Sequence, residues 1–173
     1  MEAKPCLYSL TVKTGYVLPP DTNTLGTLFG GKLMSYIDDV AAIAAAKHSR
    51  RMAVTASTDS VDFLHPVFEG DSICIEAFVT WTHTTSMEVF SKAVTENLRT
   101  GERKVCATAF MTFVAVDDNG KPVPVPPVYP ETEQEEQLHR GGQERANYRL
   151  ERRKRSKEMA KTFGTAYPWN REN

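Results

Sequence analysis

The sequence predicts an α+β fold in which one long helix is wrapped by a curved antiparallel sheet, with a charged helical arm at the C-terminal end. Three observations carry that prediction. A single stretch, Lys32 to His48, repeats its apolar residues at helical spacing, and five other stretches have strand character. The four strands after the helix succeed one another with no helix between them, which argues against a doubly wound sheet.

The first strand is expected over residues 6–18, rich in β-branched and aromatic types and closed by Pro19-Pro20. A polar, glycine-containing loop from Asp21 to Gly31 leads into the helix. There Leu33, Met34, Ile37, Val40, Ala41, Ala44 and Ala45 share one stripe, with Tyr36 outside it. Ala42, Ile43 and Ala46 leave the rest of the circumference small or apolar, so the helix is expected to be enclosed on most sides. Further strands are expected at Met52 to Leu64, Ser72 to His83, Met87 to Asn97 and Lys104 to Val116, separated by Pro66, Glu69-Gly70-Asp71 and the turn Arg99 to Glu102. Alternation at Ile73, Ile75, Ala77, Val79, Trp81 and at Val105, Ala107, Ala109, Met111, Phe113 marks the faces that meet the helix. Asp118-Asn119-Gly120 is a turn, and five prolines between Pro122 and Pro130 make an extended connection. One domain is expected over 1–130, with 131–173 a charged, helical, exposed extension.

Composition narrows the function. The hydrophobic fraction of 40% and charged fraction of 25% are those of an ordinary globular chain. A net charge of -1 does not mark a nucleic-acid binder, so nucleic acid is not an expected partner. The longest small apolar stretch, Val40 to Ala46, is too short to span a bilayer, and the N-terminus carries no signal-peptide run, so a cytoplasmic location without membrane insertion is the expectation. Cys6, Cys74 and Cys106 are widely spaced and read as buried thiols. The four histidines show no metal-ligand spacing, so no metal is expected.

Candidate chemistry gathers at the helix start. Asp38 lies on the edge of the buried stripe, where a carboxylate is costly unless bonded or used, while Asp39 falls about 100° further round. It is either a site carboxylate or a paired helix residue. Gly30 and Gly31 precede the first turn, where unpaired N–H groups stabilise negative charge, or they merely let the chain turn. Asn23 in the loop can polarise a carbonyl or orient water, or it caps a turn. Serine-hydrolase, nucleotide-hydrolase and dehydrogenase motifs are missing.

Taken together, Asp21-Thr22-Asn23, Gly26 to Gly31, Leu33-Met34 and Ile37-Asp38-Asp39, then an alanine-rich helix and His48, resemble the acyl-CoA thioesterases of the hot-dog fold. The match looks closest to the brain acyl-CoA hydrolase group and its bacterial relatives. Val54 to Ser57, Asp62-Phe63, Ser86-Met87-Glu88 and Thr112 to Asp117 extend the resemblance over about residues 8–130. It implies hydrolysis of fatty acyl-CoA, with Asp38 as general base or nucleophile, Asn23 positioning water or thioester, and the amides around Gly30 and Gly31 as the oxyanion site. The Asn and Asp of one site would come from different subunits. It implies a homo-oligomer, a hexamer built as a trimer of dimers, and no cofactor beyond the coenzyme A of substrate or product. For the CoA moiety it points to Thr85, Ser86, Met87 and Glu88, with Arg99, Arg103 and Lys104 at a neighbouring turn as candidate phosphate contacts. Two competing readings are an acyl-CoA-sensing binding protein, for which no DNA-binding segment is expected before the first strand, and a hot-dog hydratase or dehydratase, for which His48 and His65 are not suitably placed.

Overall fold

The computed structural model describes residues 1–167 and Trp169. In chain order it contains β1 (Lys4–Pro5), a 3-10 turn (Cys6–Ser9), β2 (Thr11–Tyr16), a second 3-10 turn (Pro19–Asp21), α1 (Gly30–Ser49), β3 (Met52–Phe63), β4 (Ser72–Thr82), β5 (Ser86–Glu96), β6 (Arg103–Val116), β7 (Val128–Tyr129), α2 (Glu133–Arg140) and α3 (Gly142–Phe163). Five strands form one antiparallel sheet in the order β2-β4-β5-β6-β3, while β1 pairs with β7 in parallel. With α1 packed along one face, this is the hot-dog arrangement.

Ser9 breaks the expected first strand. Its hydroxyl donates to the Cys6 carbonyl and accepts from the Val79 amide, 2.9 and 2.8 Å, which holds residues 6–9 in a turn and leaves Thr11 to begin β2. Such local side-chain bonds compete with a ladder. At the other end of the helix, Arg50 in the left-handed region (φ 55°) donates its amide to Ala46 and stops α1.

The α1 stripe packs as expected at Leu33, Ile37, Val40, Ala41, Ala44 and Ala45, all buried. Opposite it stand Ile75, Val79, Met87, Val89, Met111 and Phe113, each large side chain contributing about 1.5–3 kcal/mol on burial. Ala77, Ala93, Ala107 and Ala109 on the same sheet face are small, so the helix backbone approaches the sheet closely. Enclosure on most sides is not what this chain achieves: Met34 and Ile43 are 43% and 52% exposed. A five-stranded sheet covers one side of a helix, and Met34 falls at the edge of the stripe. Met52 and Val54 on the edge strand β3 are also exposed.

The C-terminal extension departs from the expected free arm. Its α2 begins at Thr132, whose hydroxyl caps the Glu135 amide, and both helices bear on the sheet face opposite α1. His139 Nδ1 lies 2.8 Å from the Thr80 carbonyl, Gly142 is pressed against Trp81, and Ala146 and Arg149 are buried. Charge did not keep this segment in water, because the outer face offers Glu88 and Asp59 as partners for Arg145, Arg149 and Arg152. Beyond Leu150, α3 is exposed along its length.

Of the cysteines, Cys6 and Cys106 are buried and Cys74 is half-buried, and all three are free thiols. Burial pushes Cys6 up to about 12 and Cys106 up to about 11, so neither ionises near neutrality.

Candidate active site

The segment before α1 is stapled to the helix. The Asp21 carboxylate accepts from the Tyr36 hydroxyl at 3.2 Å and pairs with Lys32 at 3.3 Å, and its carbonyl accepts the Phe29 amide at 2.8 Å. Within that loop, Asn23 organises a tight turn. Its Oδ1 accepts from the amides of Leu25 and Thr27, at 2.9 and 3.3 Å, and its Nδ2 donates to the Thr27 hydroxyl at 2.9 Å. Gly26, at φ 70°, completes the turn by donating its backbone N–H to the Asn23 carbonyl at 3.0 Å.

Helix α1 starts at Gly30, two residues before the position expected from periodicity, and its N-cap Phe29 has no capping side chain. The Phe29 carbonyl receives Lys32 and Leu33, but among the described residues the amides of Gly30 and Gly31 find no acceptor. They stand at the positive end of a 20-residue helix. Beside them opens a mainly apolar cavity of about 300 Å³, lined by Leu28, Gly30, Leu33, Phe63, Leu64 and Val67. At Gly30 an added methyl would lie 3.5 Å from the Phe63 ring, at the wall of that cavity.

Asp38 lies two turns further on, about 12 Å along the axis from Gly30 at 1.5 Å per residue. Half-buried, it accepts a 2.9 Å bond from the Thr55 hydroxyl of β3. Asp39 is exposed and pairs with Lys13 at 3.1 Å, so the two neighbouring carboxylates have different surroundings. The sequence places Thr55 inside the matched stretch Val54 to Ser57 but gives it no role, since a threonine in an exposed strand has no chemical signature of its own. Its meeting with Asp38 is a tertiary fact. No hydrogen bond among the described residues joins Asn23 to Asp38.

The candidate CoA contacts separate into two groups. Thr85 ends the turn before β5 and Ser86 begins the strand, both half-buried, whereas Arg99 lies in the turn after β5 and Arg103 begins β6. These turns are not neighbours: they sit at opposite ends of β5, roughly 35 Å apart at 3.3 Å per residue. Arg103 pairs with Glu96 at 2.7 Å and Arg99 is exposed. The Met87 and Glu88 side chains are 0% and 1% exposed. Met87 belongs to the core. Glu88 receives Arg145 through Nε at 3.0 and 3.1 Å and through Nη2 at 2.7 Å, with Thr80 at 3.2 Å.

Residues 25–102 match the thioesterase superfamily model, and over 168 residues the chain is 58% identical to the acyl-CoA thioester hydrolase YkhA of Bacillus subtilis, covering 97% of this chain and 98% of that one. The chain belongs to the thioesterase superfamily. Solved structures agree with that membership of a thioester-hydrolase family. An apo-hexameric acyl-CoA thioesterase superposes with a TM-score of 0.86 at 49% identity, covering 88% of this chain and 97% of that one. The acyl-CoA hydrolase of Staphylococcus aureus, solved with butyryl-CoA, CoA and CoA disulfide, gives 0.89 at 40% identity over 94% of this chain and 99% of that one. Variants of the staphylococcal thioesterase with an Asp, an Asn or a Thr replaced by Ala have also been solved. Among the described residues, no helix of this thioesterase is long and apolar enough to cross a membrane, and no group of three or more His, Cys, Asp or Glu is gathered as for a metal.

Proposed function

We propose that the chain hydrolyses fatty acyl-CoA to free fatty acid and CoA, with Asp38 as general base. The observation that carries this reading is the half-buried Asp38, oriented by Thr55, on the helix whose first amides are unpartnered beside an apolar cavity. The thioester carbonyl oxygen takes the Gly30 and Gly31 amides beside Asn23 on one subunit, and the acyl chain takes apolar surface. Those amides stand about 12 Å from that subunit's own Asp38, so the Asp38 that acts on this carbonyl comes from the other subunit. Asp38 removes a proton from water as its oxygen attacks the carbonyl carbon. Negative charge develops on the carbonyl oxygen, where the amides lower its energy. The C–S bond then breaks, CoA leaves as thiolate, and the proton held by Asp38 passes to that thiolate, which restores the carboxylate. A thiolate is a good enough leaving group that no strong general acid is required.

Asn23 joins Asp38 across a subunit interface in this reading. Three facts support it. Asn23 and Asp38 share no hydrogen bond within the chain, the edge strand β3 exposes Met52 and Val54, and α1 exposes Met34. The replaced Asn, Asp and Thr of the staphylococcal enzyme fall at the same intervals as Asn23, Asp38 and Thr55. Assembly as a hexamer, like that of the solved relative, would create such interfaces.

Thiol release from acyl-CoAs of graded length tests the activity. Asp38→Asn should lower kcat at least about 100-fold, and full activity in that variant would sink the assignment. Shared sites make a second demand: mixing inactive Asn23→Ala and Asp38→Asn chains should restore activity, because each mixed dimer regains one intact site. No recovery after verified subunit exchange would place both residues in one subunit's site.

A further inference from the structure

Among the described residues of the chain, strand β3 has a sheet neighbour on one side only, and it is irregular twice. Against β6 it pairs Thr55 with Phe113, Ser57 with Thr112, Thr58 with Met111 and Ser60 with Phe110, so Ala56 and Asp59 are each an extra residue. An extra residue reverses the side-chain parity of the strand beyond it. Thr55 therefore shares the face of Phe113, toward α1, where its hydroxyl reaches Asp38. Ser57, two positions on, shares the face of Thr112, away from α1. In a regular strand the two would point the same way.

The groups that hold these bulges come from the C-terminal helix. Arg152 donates through Nη1 to the Asp59 carbonyl at 2.9 Å, and through Nη2 to the Asp59 carboxylate at 2.6 Å and to the Ser57 hydroxyl. Arg149, its side chain 8% exposed, donates to the other Asp59 oxygen at 2.7 Å, which Thr112 also reaches at 2.8 Å. The carbonyl and carboxylate of the second bulge residue, and the hydroxyl of the residue after the first, are thus bound by α3. Burial pushes the Asp59 carboxyl up, but the bonds from Ser57, Thr112 and Arg149 outweigh it and hold the group below the ordinary carboxylate value.

We propose that Arg149 and Arg152 are positioning residues for hydrolysis: by fixing the two bulges of β3 they keep the Thr55 hydroxyl on Asp38. The inference rests on the proposed role of Asp38 and Thr55. It turns the C-terminal helix from an appendage into a support of the reacting groups. With the arginines removed, β3 is free to exchange between registers, and any one-residue shift takes Thr55 off the α1 face.

A double-mutant cycle on the full chain tests this, using the acyl-CoA that the unaltered protein hydrolyses fastest. Arg152→Gln should lower kcat about 5- to 20-fold with KM within about twofold, the pattern of a lost transition-state interaction. Thr55→Val should lower kcat at least as much, and the double variant should be no slower than Thr55→Val alone, because both changes remove one contact. Arg153→Gln, an exposed charge on the same helix, should change neither constant. A merely structural arginine would lower the melting temperature without this saturation. Losses that multiply in the double variant, or an unaltered kcat in Arg152→Gln, overturn the proposal. Should Arg152→Gln not fold, Arg152→Lys keeps the charge, cannot make all three bonds, and enters the same cycle. An unaltered protein that releases no thiol would instead refute the site reading beneath it.

Discussion

Replacing Glu88 by Gln separates an interior anchor from a ligand contact. The side chain is fully enclosed and receives three bonds from Arg145 and one from Thr80, with Arg149 at 3.8 Å. Gln keeps the volume, so no cavity opens, but its amide nitrogen confronts the Arg145 fork with donor against donor. Removing one partner of a buried pair costs about 3–5 kcal/mol when the remaining charge stays buried. Arg145 is 26% exposed and can partly rehydrate, which brings the expectation to about 2–3 kcal/mol. At about 2–4 °C per kcal/mol for a chain of this size, the midpoint should fall by about 5–10 °C. Differential scanning calorimetry reads that shift, and thiol-release kinetics on the same preparation should give a KM within about twofold of the unaltered value. An unchanged midpoint with a KM raised about tenfold would refute the burial argument and restore Glu88 as a contact for CoA.

Gly142→Ala would set a methyl 2.6 Å from the Trp81 Cβ and nearer still to its ring, so α3 must shift, at about 1–3 kcal/mol measured by denaturant unfolding. His48 is buried with Nε2 2.9 Å from the Pro126 carbonyl and Nδ1 without a partner among the described residues, and desolvation lowers its pKa below the ordinary 6.5 despite that bond. The unfolded chain then takes up the proton first. Stability should be level above about pH 7 and fall as pH drops through 6.5, and His48→Gln should abolish that part of the slope. Asp59 shows the opposite linkage. Its carboxyl is held below 3.8, so its share of α3 docking persists above that value and is lost as pH falls through the lowered one. In a Trp169→Phe background, Trp81 emission should shift to the red below about pH 4 if α3 undocks there, and an Asp59→Asn variant should lack that transition.

Much of the core was legible because it obeys short-range rules. The 3.6-residue repeat of Leu33, Ile37, Val40, Ala41, Ala44 and Ala45 located α1 and its buried face, and the two-residue repeat of Ile73, Ile75, Ala77 and Val79 located the sheet face that meets it. Consecutive strands without intervening helices gave the layer arrangement. Where a single polar side chain competed with the pattern, as Ser9 does through Cys6 and Val79, the expected strand was too long.

The candidate site divides along the same line. The glycines, Asn23 and Asp38 occupy one continuous stretch, so their order was visible, and the structure adds that Gly30 begins the helix with unpartnered amides. Thr55 lies in a matched stretch, but its role could not be read that way. Its partner lies on another element, and its direction depends on strand parity that two bulges reset. Glu88 and the arginines of α3 show the limit most plainly. A charged residue reads as solvated until a second charge, 57 positions away in the case of Arg145, is brought against it. Sequence by itself determined the elements, the core face of the helix and the stretch that carries the chemistry, because those arise from local periodicity. Only the tertiary structure decided which hydroxyl orients Asp38 and which charges are interior, because both depend on distances between residues far apart in the chain.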